Sequence, residues 1–290
     1  MKLPTEQNGL IQIGVSVHAS QSLKHFQRCI DSCLSQESVD FILCIRTDGK
    51  VSNEILSYIK DKEKSDERVL LHESNEALGT YASYKLIFDS SDSQYLCQLD
   101  ADDYLPPNAL SLCLESFKKN PYLSFIYTQC ITIDEEGAPL GLDRHAAEPY
   151  SSERLLISFI TFHLRLINRY KYDLVGGYDE TFKYAGDYDL CLRLSEVGDI
   201  MHISRPLYYY RVHKNSASQR HKNDVFNESL IASQRALIRR GMSSDYDISL
   251  LENGMLRLSK KTVRATDNKS IHEKELINND IFYISPIEAH

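Results

Sequence analysis

An α/β fold with a mainly parallel sheet flanked by helices is what this sequence predicts, and three observations carry it. Short apolar runs alternate with stretches of helical period through the first half of the chain. These runs are continuous and mainly apolar, as expected of strands covered on both faces. Several of them end in polar turns, at His18-Ala19, Asp48-Gly49 and Asp100 to Asp103. In open α/β sheets ligands bind beyond the carboxyl ends of the strands, so the three turns define one candidate rim.

The elements follow in order. IQIGVSV (Ile11–Val17) reads as a buried strand, and Leu23, Phe26, Ile30 and Leu34 recur at helical spacing behind it. FILCIRT (Phe41–Thr47) is the next strand, closed by Asp48-Gly49. Ser52 is placed to cap a helix carrying Ile55, Leu56 and Ile59. VLLH (Val69–His72) is a short strand, and residues 76–88 read as helical. QYLCQL (Gln94–Leu99) runs directly into Asp100-Ala101-Asp102-Asp103, after which Pro106-Pro107 opens a helix through Leu110, Leu114 and Phe117.

The second half changes character. LSFIYT and ITID (123–128 and 131–134) read as neighbouring strands, residues 151–159 as a helix, and FHLRLIN (162–168) as an alternating strand. Gly176-Gly177 is a sharp turn. Asp187 begins a helix with Leu190, Leu194 and Val197 inward and Gly198 as its stop. LYYYRV (207–212) is the last strand, and beyond about Asn215 the chain turns polar and helix-prone.

Composition narrows the function. Lys and Arg number 33 against 41 Asp and Glu, a formal net charge of −8, which argues against nucleic acid as the partner. An acidic protein that handles a polyphosphate needs a cation or a local basic group to offset repulsion. The seven cysteines (Cys29, Cys33, Cys44, Cys97, Cys113, Cys130, Cys191) include no Cys-x-x-Cys pair, so neither a zinc site nor a disulfide framework is indicated. Their odd number and apolar settings suit a reducing compartment. The first residues lack the pattern of a signal peptide, and no stretch approaches the ~18 apolar residues that span a bilayer. The expected location is the cytoplasm, with loose contact at the inner face of the membrane left open.

Few residues have the chemistry for a site. Asp100 and Asp102, two apart on an extended chain, point the same way and can converge on Mg²⁺ or Mn²⁺ together with diphosphate oxygens. A turn whose aspartates cap the backbone is the competing reading. Asp48 is placed to meet a nucleobase or ribose, or is simply an Asp-Gly turn. His18 ends the first strand, where its backbone alone can matter. Asp187 has the position of a general base or of a plain helix cap. His213 is a suitable ligand for completing a metal shell and Arg211 for holding phosphate. His163 and Arg165 share a strand face that would line an acceptor site.

Taken in order, these segments resemble the family 2 inverting glycosyltransferases of GT-A fold, over about Ile11 to Ser218. The resemblance rests on IQIGVSVHA, on Ile30 to Gln36, on LDADD (99–103), on VGGYDE (175–180), on GDYDLCLRL (186–194) and on PLYYYRVHKNSAS (206–218). It implies that Asp48 contacts the base or ribose, Asp100 the nucleotide and Asp102 the metal, with His213 a metal or diphosphate contact. Asp187 would be the catalytic base. It also implies a domain over 1–215, with a nucleotide-binding half to about 110 and an acceptor half beyond, then a helical extension over 216–290. The implied partners are a nucleotide-diphosphate sugar and a glycan or glycolipid acceptor. Two departures stand out: Thr47 precedes Asp48 where an acidic residue is common, and Gly186 precedes Asp187 where Glu is common. The rival readings are a nucleotide-sugar-binding protein without turnover, which Gly186 favours, and a sugar nucleotidyltransferase. The latter would want a Gly-rich basic loop after the first strand, where this chain has His18-Ala19-Ser20-Gln21-Ser22.

Overall fold

A computed structural model describes residues 9–213 and 220–261. Strands β1 (Ile11–His18), β2 (Phe41–Asp48), β3 (Val69–His72) and β4 (Tyr95–Gln98) lie parallel in the order β3-β2-β1-β4. Their carboxyl ends therefore open on one rim, with His18 in register beside Asp48. The sheet then turns mixed. β5 (Leu123–Ile133) and β7 (Arg165–Asn168) pair antiparallel, and β7 also pairs antiparallel with β4. β6 (Pro139–Leu142) runs antiparallel to β5, while β8 (Asp199–Arg211) runs parallel to it.

Each face of this sheet carries its own apolar core. On one, α1 (Leu23–Leu34), α2 (Asn53–Ser65) and α4 (Ala109–Lys119) bury Phe26, Ile30, Ile59 and Phe117. Across the sheet lie α3 (Thr80–Phe88), α5 (Ser152–Leu155), α6 (Arg169–Leu174), α7 (Gly186–Leu194) and α8 (Lys222–Arg239). Ser52 caps α2 as expected, its Oγ accepting from the Ile55 N–H at 3.3 Å. All seven cysteines are buried thiols. No helix among the described residues is long and apolar enough to cross a membrane.

Helix α3 carries site residues, and two features of β1 hold it. Gly14 has no side chain to keep it away: a Cβ there would lie 2.9 Å from Ile87 Cγ2 and 3.0 Å from a Phe88 ring carbon. Gln12 is buried among polar partners, donating to the Ile87 carbonyl at 2.6 Å and accepting from Ser91 Oγ at 2.8 Å and Arg169 Nη2 at 3.0 Å. A buried amide with every group answered specifies one placement of the helix end.

Several sequence expectations need correction. The two strands expected over 123–134 are one strand, because β5 is long enough to pair β7 and then β6 along one edge. β8 begins at Asp199, well before the expected residue 207, and its pairing slips where Gln129 meets Pro206. A proline cannot donate to the ladder, and this hides the strand from an apolar-pattern reading. The helix expected from residue 76 starts at Thr80, since Asp48 draws the preceding turn onto itself. Of the helix expected over 151–159, only Ser152–Leu155 forms. The extension is helical over α8, but a hairpin of β9 (Tyr246–Leu250) and β10 (Leu256–Lys260) follows. It is also no separate body: Ala232, Ala236, Leu237 and Ile248 share the core of α3 and α7. Positions 214–219 and 262–290, which complete the expected extension, lie outside the described residues.

Candidate active site

The three aspartates after β4 have three different environments. Asp100 Oδ1 accepts from Tyr84 Oη at 3.1 Å and Gln98 Nε2 at 3.0 Å, and its Oδ2 lies 3.8 Å from His163 Nε2. Burial pushes its carboxyl up to about 6, against the Gln98 hydrogen bond, although 34% of the side chain meets solvent. Asp102 is partly exposed, with Oδ2 3.1 Å from His213 Nε2. That contact raises the imidazole above its ordinary value. Asp103 is buried, accepting from Tyr208 Oη at 2.7 Å and from the Arg211 N–H at 2.7 Å. Burial, and then the charges of Asp102 and Asp100, hold the Asp103 carboxyl well above the carboxylate range.

Asp103 thus rivets the end of β8 to the turn, and a backbone bridge between Tyr104 and Tyr209 continues the seam. This seam delivers His213 to Asp102. Arg211 belongs to the same seam. Its guanidinium donates to the carbonyls of Asp102 at 2.9 Å, Asp134 at 2.8 Å and Glu135 at 2.7 Å, with the residue 2% exposed. The expectation that Arg211 holds phosphate is corrected on burial and partners: the residue is almost fully buried, and its Nε and Nη1 donate to backbone carbonyls around the turn. Among the described residues no group of three or more His, Cys, Asp or Glu is gathered closely enough to hold a metal ion.

Asp187 stands in the first turn of α7, and 14% of its side chain is exposed. Oδ1 accepts from Tyr81 Oη at 2.9 Å and from the Tyr188 N–H at 2.9 Å, and Oδ2 from Arg165 Nη2 at 3.1 Å. Arg165 is 2% exposed and donates through Nη1 to the carbonyls of Thr161 at 3.2 Å and Phe162 at 3.3 Å. It is therefore the counter-charge of Asp187 and lines no open acceptor surface, which corrects that expectation. His163 is buried as well, stacked on Tyr208 at 4.6 Å between ring centroids, with burial and Arg165 pushing its pKa well down. Asp189 points inward to Arg193 at 2.7 Å, so it does not share the cleft with Asp187.

A tyrosine layer joins the two acidic groups. Tyr81 stacks on Tyr178 at 5.4 Å, and Tyr178 donates to Gln98, which donates to Asp100. Asp48 ends β2 half-buried, accepting from the N–H groups of Leu78 at 2.6 Å and Gly79 at 3.1 Å and from Ser83 Oγ at 3.1 Å. It holds the turn that leads into α3 and, through Ser83, the first turns of that helix. His18 is exposed beside it, with Nδ1 3.0 Å from Ser20 Oγ. Ahead of α7, Glu228 of α8 accepts three successive N–H groups, from Lys183 at 3.0 Å, Tyr184 at 2.7 Å and Ala185 at 2.9 Å. Tyr81, Tyr178, Gln98, Asp103 and Glu228 were not singled out by the sequence. Gln98 alone carried a signal, as an amide inside an apolar strand.

The family model described as glycosyl transferase family 2 matches residues 15–176. Chondroitin synthase of Pasteurella multocida (strain Pm70) is 29% identical over 250 residues, which are 84% of this chain and 26% of that protein. Chondroitin synthase of Escherichia coli is 30% identical over 218 residues, 75% of this chain and 31% of the other. The chain thus spans about a quarter to a third of these relatives, as it does (25%) of the Pasteurella multocida hyaluronan synthase. A crystal structure of S. aureus TarS 1-349 in complex with UDP-GlcNAc superposes with a TM-score of 0.64 at 12% identity, covering 79% of this chain and 66% of TarS 1-349. That likeness is one of fold, the GT-A type.

The seam makes its own prediction. Asp103→Ala would orphan two buried donors, Tyr208 Oη and the Arg211 N–H, and should cost roughly 2–6 kcal/mol of stability at ~1–3 per group. Urea unfolding measures it, and a midpoint equal to wild type would refute the clamp.

Proposed function

The chain belongs to glycosyl transferase family 2, and from that premise we propose that it moves a sugar from a nucleotide-diphosphate donor to an acceptor hydroxyl with inversion. The carrying observation is Asp187, a partly exposed carboxylate held by three donors and linked to Asp100 through Tyr81, Tyr178 and Gln98. Asp187 takes the proton of the acceptor hydroxyl. The freed oxygen pair attacks the anomeric carbon from the face opposite the leaving group. The bond from that carbon to the diphosphate breaks, and its electrons leave with the diphosphate oxygen. One displacement inverts the configuration.

Asp48 and Asp100 lie on the donor side of the rim and are assigned to the nucleotide, with His18 at its edge. UDP is the nucleotide we favour, since the TarS complex of the same fold holds UDP-GlcNAc. A glycan or glycolipid acceptor in polysaccharide synthesis is the class that the chondroitin and hyaluronan synthases suggest. Asp102 and His213 are the residues that would hold Mn²⁺ or Mg²⁺. Their donor atoms already face one another at 3.1 Å, and two protein ligands suit a cation that takes its other oxygens from diphosphate and water. Such an ion, when bound, neutralises charge on the departing diphosphate. A protein that binds nucleotide sugars without turnover is the alternative, and release of UDP from the donor separates the two.

Two substitutions test the assignment. Asp187→Asn should lower turnover ~10²–10⁴-fold while UDP affinity, measured on the same folded preparation, stays near wild type. Some stability will go too, because Arg165 loses its counter-charge, and intact UDP binding is the check that the variant has folded. Near-normal transfer would remove Asp187 from the role of base. Asp102→Ala should abolish the Mn²⁺-dependent part of UDP affinity in calorimetric titration. Unchanged Mn²⁺ coupling in the folded variant would refute the metal assignment.

A further inference from the structure

Asp187 is held from two sides by groups of different kinds. Arg165 supplies a buried charge, whereas Tyr81 supplies a neutral hydroxyl, 2.9 Å from Oδ1 and 3.2 Å from the Tyr184 carbonyl oxygen. Independent features place that hydroxyl. Tyr81 lies in the first turn of α3, Asp48 holds the Leu78 and Gly79 N–H groups just before that helix, and the Tyr81 ring stacks on Tyr178 with planes 28° apart. The remaining feature is Gly186. A Cβ at this position would lie 2.6 Å from Tyr81 Cδ2 and 2.7 Å from Cγ. Those atoms are at the root of the ring, so the side chain cannot yield by swinging its far end.

The backbone at position 186 does not ask for glycine. It is helical and is absent from the glycines with positive φ, and within a helix alanine is favoured over glycine by about 1 kcal/mol. What asks for glycine is the tyrosine ring. We propose that Tyr81 is the positioning residue of Asp187 in glycosyl transfer, and that Gly186 is there to admit it. The inference rests on Asp187 being the base.

The physical argument concerns the plane of the carboxylate. An aspartate turns readily about its last bond, and a terminal torsion of this kind has a broad minimum. With Oδ2 on Arg165 and Oδ1 on both Tyr81 and the Tyr188 N–H, the plane is set, and part of the carboxylate stays open to solvent. Misplacing a base affects the rate more than it affects donor binding, because the acceptor hydroxyl must be met at the right distance and angle.

The test uses UDP-GlcNAc as donor, an oligosaccharide acceptor panel and UDP release as readout, on Tyr81→Phe, Gly186→Ala, their double variant and Asp187→Asn. Expected is a kcat roughly 10- to 100-fold lower in each of the first two, the range of one hydrogen bond to a charged group, with the donor KM within about twofold of wild type. In the double variant the losses should not multiply, since both act through one contact. Multiplying losses, or full kcat in Tyr81→Phe beside an inactive Asp187→Asn, would overturn the inference alone. Normal turnover by Asp187→Asn would overturn the base and the inference with it. Urea unfolding of Tyr81→Phe, Asp187→Asn and the pair of substitutions together gives a cycle that needs no donor. Coupled effects are expected, and strictly additive ones count against the contact.

Discussion

A buried guanidinium has to be answered by a charge, and in this protein Asp187 answers Arg165. The arginine leaves the centre of the sheet at the start of β7, and the aspartate opens α7, so the pair fixes the helix start against the strand layer. Removing one partner of such a pair leaves an uncompensated buried charge, at a cost of about 3–5 kcal/mol. The other contacts gather around this one. Tyr81 reaches Asp187 from α3, and Glu228 holds the three N–H groups that lead into α7. The C-terminal extension is thereby part of the site's frame, since its helix orders the loop ahead of the proposed base.

At the turn after β4, environment sets three neighbouring carboxylates apart. Asp103 is buried and joins β8 to the turn, Asp102 is left half-open toward His213, and Asp100 sits among tyrosines and Gln98. The seam made by Asp103, Tyr208 and Arg211 carries His213 to the rim. Arg211 and Asp103 are oppositely charged residue types, yet they meet through the arginine's backbone N–H, while its side chain gathers carbonyls from two turns. An apparent phosphate ligand is a structural clamp for this reason.

The alternation of mainly apolar runs with helical stretches made the parallel half of the sheet legible. It also placed Asp48, Asp100 and Asp102 on one rim, where the structure puts them. What stayed hidden is what depends on the third dimension. Pro206 and the polar residues around it masked most of β8, and Asp48 shortened α3 by binding the turn before it. Arg165 and His163 have the residue types of a ligand site, and nothing in a sequence separates a buried counter-ion from an exposed ligand. The link between Gly186 and Tyr81 spans more than a hundred residues of chain, and only the space beside the glycine reveals it.

The proposed function turns on a single displacement with Asp187 as the proposed base. Stereochemistry tests that most directly. With UDP-GlcNAc, an α-linked donor, and an accepted oligosaccharide, the anomeric proton of the new linkage can be read by NMR from its coupling constant before any downstream equilibration. The account predicts a β-linked product. An α-linked product would require a different path, with two displacements or front-face attack, and would contradict it.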